Sequence, residues 1–145
     1  MGTNTTMINL DIHLHPIIVH FPIALLVSAL GLEILSLIFK KENLHQAAWC
    51  NYILGALAAA LAVLTALIED ETLKHTVFYI HRSLGYWTAA GSLSLLVGLW
   101  LVKRKTQAVF RRAFLIVLVI VSCLTLATGY YGGRLVYEYG IGVEE

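Results

Sequence analysis

Four apolar runs, each long enough to cross a bilayer as a helix, constrain this chain more than any other feature. They are Pro16 to Phe39, Ala47 to Ile68, Thr76 to Val102 and Ala113 to Tyr131. Each is near or above the ~20 residues that cover about 30 Å of hydrocarbon at ~1.5 Å per residue. A soluble domain carries about 25% charged residues, whereas this 145-residue chain has 13% charged and 59% hydrophobic residues. A water-soluble core could not hide so much apolar surface. The polar links, KKENLHQ, EDETLKH and KRKTQAVFRR, are short, so each helix must return beside the one before it. The expected fold is all-α: an integral membrane up-down four-helix bundle forming one domain over 1–145. Its helices are expected near 16–40, 46–69, 75–103 and 109–133, with an outer C-terminal segment over 134–145. The N-terminus lacks the basic start and cleavage site of a signal peptide.

Lysine and arginine set the expected orientation. Lys40, Lys41, Lys103, Arg104, Lys105, Arg111 and Arg112, seven of the ten basic residues, fall in or beside the first and third links. That side is expected to be cytoplasmic. Asp11, Glu69, Asp70, Glu71, Glu138, Glu144 and Glu145 gather on the other face. Both termini are then outside, on the periplasmic face of a bacterial inner membrane.

The histidines follow this polarity. His13, His15, His20, His75 and His81 lie at the outer ends of the first and third helices, and His45 alone lies at the inner side. His20 precedes Lys40 by about as many residues as His81 precedes Lys103, so at ~1.5 Å per residue their depths agree to about 3 Å. The first and third helices of an up-down bundle are diagonal partners. His20 and His81 are therefore the expected metal-ligating pair, with His15 and His75 as a second tier. His13 and His45 read as surface residues. A histidine inside an apolar helix is costly unless it is bonded or ligating; for His20 and His81 the competing role is a hydrogen bond to a hydroxyl or carbonyl.

Small residues follow both histidines at helical spacing: Ala24, Ser28 and Gly31 after His20, and Gly85, Ala89 and Ser92 after His81. Such lanes leave a slot for an edge-on porphyrin, and Ala24 and Gly85 would border it. They also serve simple close packing. Pro22 frees the carbonyl of Ile18 and would bend the first helix beside His20. The exit of the fourth helix, GYYGGRLVYEYGIGV, is rich in glycine and reads as a close-approach segment returning over the outer face. Arg134 and Arg82 could meet a cofactor's carboxylates there; the tyrosines also suit an interfacial belt.

Other chemistry has little support. The chain holds no CxxCH, CxxC, HExxH, GxSxG or phosphate loop. The depths of Cys50 and Cys123 do not match for a disulfide. Nothing points to nucleic acid. Glu33 reads either as a proton-relay or quinone-site carboxylate, or as a side chain snorkelling to Lys40 or Arg104.

HPIIVHFPIALL in the first helix, His81 with Gly85 in the third and GGRLVYEYGIGV at the end resemble the bacterial membrane family called domain of unknown function 2231. The resemblance spans nearly the whole chain. It implies a four-helix inner-membrane domain whose relatives occur fused to Rieske-type or cytochrome c-type modules, which points to redox work. The matching positions are His15, His20, His81, Gly132, Gly133, Val136 and Gly140; Tyr139 stands where members often have histidine.

The functional expectation is a b-type haem protein with His20 and His81 as axial ligands. It would pass electrons between quinol, or another membrane partner, and a periplasmic c-type cytochrome or Rieske-type partner. The alternatives are a copper or zinc binding or transport protein using the histidine cluster, and a non-catalytic scaffold subunit. A homo-oligomer and a subunit of a larger complex are both compatible with the chain.

Overall fold

The computed structural model describes residues 14–68, 75–102 and 107–141, and these are helical almost throughout. The helices are α1 (Leu14–Ile18), α2 (His20–Phe39), α3 (Glu42–Ile68), α4 (Thr76–Val102) and α5 (Gln107–Tyr137). Four candidate membrane spans result, because α1 and α2 join into one, His15–Phe39. Val19 between them keeps right-handed helical angles (φ −62°, ψ −21°). The ladder is interrupted where Pro22 has no N–H to offer the carbonyl of Ile18. At the far end Lys40 takes a left-handed conformation (φ 53°), and the N–H of Lys41 reaches back to Ser36 O at 3.2 Å. That tight corner turns α2 into α3.

α2 packs against α3 and α5, and α4 packs against the same two helices. The spans thus form a four-membered helical bundle in which α2 and α4 stand across from one another. Hydrogen bonds fix the pairing of ends. His15 meets Ala62 and Thr65, whereas Glu33 meets His45. Ser122 Oγ donates to Leu26 O, and Arg111 to Glu33.

Only a minor share of each span is buried inside the bundle. The outward surface carries Ile17, Leu35, Leu61, Trp87, Val97 and Ile120, all well exposed. In water such a surface would drive aggregation; against lipid tails it is matched to its solvent. The centre is filled by Leu26, Ala29, Ala48, Tyr52, Leu99, Phe114 and Leu118. Among the described residues no buried side-chain nitrogen or oxygen lacks a hydrogen-bond partner, as a bilayer demands.

The fourth helix runs past the expected end at residue 133, into the first residues of the expected outer segment. α5 continues through Gly132, Gly133 and Arg134 to Tyr137. It ends where Gly140 adopts φ +64°, with its N–H on Val136 O at 3.0 Å. The glycines at 129 and 132 do not loosen the backbone. They remove side chains where α5 meets Ile23 and His81.

Close approach of α2 and α3 depends on Gly55. A Cβ there would stand 2.8 Å from Leu26 Cγ and Cδ2. Gly55→Ala should therefore destabilise the protein by about 1–3 kcal/mol through overpacking, read by unfolding in detergent. Gly31→Ala is the control, since its Cβ would meet nothing within 4 Å; equal effects at both sites would contradict this packing.

Candidate functional site

His15 and His81 form the site that joins all four spans. Their ring centroids lie 6.2 Å apart with an interplanar angle of 79°. Both residues are part-buried. His15 Nδ1 lies 2.9 Å from Ala62 O on α3 and 3.3 Å from Thr65 Oγ1, whose hydroxyl donates to the same carbonyl. His81 Nδ1 lies 3.0 Å from Thr128 O on α5. A carbonyl only accepts, so each Nδ1 carries the hydrogen. Ligating histidines are commonly oriented by a carbonyl on one ring nitrogen in this way.

The floor beneath His81 is equally specific. A Cβ at Gly132 would come within 2.9 Å of His81 Cε1 and 3.2 Å of Nδ1. The ring lies so close to Gly132 that glycine there leaves it room. One turn deeper, Thr88 Oγ1 and Thr128 Oγ1 meet at 3.1 Å. Gly85 opens the α4 side, where a Cβ would find only Thr128 Cγ2 at 3.9 Å.

The ring that faces His81 is thus that of His15. His20 is exposed, its Nδ1 donating to Pro16 O of its own helix at 2.6 Å. Ala24, Ser28 and Gly31 are exposed with it, so the lane below His20 lines the outside of the bundle. The lane below His81 does face inward: Ala89 and Ser92 are buried. His75 caps α4, its Nδ1 accepting the Val77 N–H at 3.3 Å, and its ring lies 4.1 Å from that of Tyr139. Its Nδ1 is thereby committed. Arg82 donates to Tyr86 OH at 2.8 Å and sits over that ring. Arg134 grips Glu138 through Nε and Nη2 at 2.7 to 2.9 Å. The hydrogen bond from Arg134 holds the Glu138 carboxyl below the usual carboxylate range. Cys50 and Cys123 are free and exposed. His13 lies outside the described residues.

A second polar cluster sits at the opposite end, and it overturns the reading of His45 as a surface residue. Glu33 is wholly buried. His45 Nδ1 donates to its Oε2 at 2.6 Å, and Arg111 Nε to its Oε1 at 3.0 Å. Arg111 Nη2 also donates to Ser36 Oγ, and its Nη1 lies 3.7 Å from Glu42 Oε2. Glu33 is therefore held by Arg111 and His45. The rings of Phe110 and Phe114 stand edge-on to His45 at 6.2 and 5.6 Å.

The family described as "Predicted membrane protein (DUF2231)" matches residues 11–145. The chain belongs to that family. No curated protein and no solved structure matches it.

Gly132→Ala should push the His81 ring off Thr128. The imidazole nitrogen spectrum of 15N-histidine protein should then lose its hydrogen-bonded Nδ1–H signal for His81. Gly133→Ala should leave that signal intact, because its Cβ would meet nothing within 4 Å.

Proposed function

We propose that this membrane protein is a b-type haem electron carrier whose axial ligands are His15 and His81. One observation carries the reading: two imidazoles from α1 and α4, each anchored through Nδ1 to a third and fourth helix, face each other at 6.2 Å. Two rings sharing one metal through Nε2 at about 2 Å each put their centroids on the order of 6 Å apart. Haem supplies its own equatorial nitrogens and asks the protein only for axial ligands. Among the described residues no group of three or more His, Cys, Asp or Glu side chains gathers, so the donor set suits haem better than tetrahedral zinc. When bound, the group would supply one-electron transfer. The chain's own part is to fix the two rings, keep water from them and set the spacing through Gly132 and Gly85.

The second reading is copper(I), which two facing imidazoles can hold without further ligands. The spacing favours it too, since the gap needs no macrocycle.

In the proposed setting the chain is an up-down bundle in a bacterial inner membrane, with both termini and the histidine pair at the periplasmic side. The basic residues at the other end support this. Electrons would pass from quinol or another membrane donor to a periplasmic c-type cytochrome or Rieske-type partner.

Protein purified after growth with ample haem should show a low-spin spectrum. His15→Ala and His81→Ala should each abolish it or convert it to high spin. His20→Ala should keep it, and Gly132→Ala should lower occupancy by roughly tenfold or more, as second-layer changes do. A colourless protein with stoichiometric copper would move the assignment to the second reading. A protein that takes up neither would end both.

Orientation has its own test. A reporter fused after Glu145 should be active only in the periplasm; cytoplasmic activity would put the histidine pair on the wrong face.

A further inference from the structure

We propose that Glu33 and His45 form a proton-binding site, separate from the histidine pair, which takes up one proton from water at the basic end of the bundle. The site does not depend on what His15 and His81 hold.

Burial and connectivity come first. Glu33 is 0% exposed, while the ring that contacts it, His45, keeps 12% of its side chain open. An ionisable residue buried inside a membrane span marks a proton or ion pathway by default. Here the only titratable side chains on Glu33 among the described residues are Arg111 and His45. Arginine does not release its proton. The imidazole is the group that can carry one to the carboxylate.

Charge supplies the reason for uptake. Among the described residues α2 supplies the Ser36 hydroxyl, α3 His45 and Glu42, and α5 Arg111. Lys40 and Lys41 occupy the exposed corner beyond. Two carboxylates, Glu33 and Glu42, therefore share one guanidinium. With His45 neutral, Glu33, Glu42 and Arg111 carry two negative charges against one positive, and a single proton on the cluster evens them.

The step balances within the cluster. A proton from water bonds to Nε2 of His45, giving an imidazolium. The Nδ1–H bond then breaks as that proton passes along the 2.6 Å hydrogen bond to Oε2 of Glu33. The ring is left neutral with its hydrogen on Nε2, and Glu33 is a carboxylic acid bonded back to Nδ1. Release is the same sequence in reverse. A purely structural ion pair would hold the same contacts but never carry the proton onto Glu33.

The test is an infrared titration of the full chain in lipid vesicles, with 13C-labelled glutamate, over roughly pH 8 to 4, which covers the ordinary histidine and glutamate ranges. A protonated-glutamate band from an apolar site should grow on acidification and vanish in Glu33→Gln. In D2O the band should shift as deuterium enters. His45→Phe, which keeps a ring between Phe110 and Phe114, should slow that entry by roughly a hundredfold, the scale of a lost acid–base group. Absence of the band in labelled wild-type protein at every pH where the helices persist would overturn the site. So would a band that survives Glu33→Gln. Deuterium entry at the wild-type rate in His45→Phe would overturn the relay. If Glu33→Gln does not fold, the labelled wild type and His45→Phe still decide the matter.

Discussion

Every polar side chain in these spans must find its partner inside the protein, because lipid offers none. That requirement organises the molecule. Ser36, Thr88, Ser92 and Thr125 meet it locally, by donating to carbonyls three or four residues back, while Ser122 reaches Leu26 O on another helix. The histidines and Glu33 cannot all do so. Their partners lie on other helices, and those cross-links fix which helix ends meet.

The two ends solve the same problem with different chemistry. At the His15–His81 end the acceptors are backbone carbonyls of α3 and α5. At the Glu33 end the anion meets the Arg111 cation and a histidine. Removing either partner from a buried ion pair leaves a charge without compensation. The first end thus ties two rings to backbone carbonyls, and the second ties one buried anion to a cation and a ring.

The four spans were legible from composition, because nothing but a bilayer accommodates such continuous apolar runs. What the sequence read wrongly was the inward face of the first span. In a soluble helix the apolar stripe marks the core, but a membrane helix is apolar all round, so hydrophobic periodicity says little about facing. Depth matching selected His20, which lies on the exposed face, whereas the ring that meets His81 is that of His15. The signal that could have corrected this was Glu33. A carboxylate in a span must face inward, and Glu33 lies about five turns after His15 at ~3.6 residues per turn. His15 therefore shares its face, together with the buried Pro22, Leu26, Ala29 and Ser36, whereas His20 does not. His45 escaped for a related reason. It was assigned to the link by its polar neighbours, yet α3 begins at Glu42, which turns the ring inward beneath Phe114.

The glycine-rich end of α5 shows how little a composition signal says without a partner. Glycine there suggested a loose, returning segment. The backbone is instead regular helix to Tyr137, and the glycines matter for what stands opposite them. Gly129 makes room for Ile23 and Gly132 for the His81 ring, while Gly133, immediately beside it, has nothing opposite within 4 Å. The same residue type thus fills a steric need at one position and none at the next. Gly132 is tied to the histidine pair as firmly as Thr128 is. Thr128 supplies the acceptor that sets the tautomer of His81, and Gly132 supplies the space that lets the ring reach it.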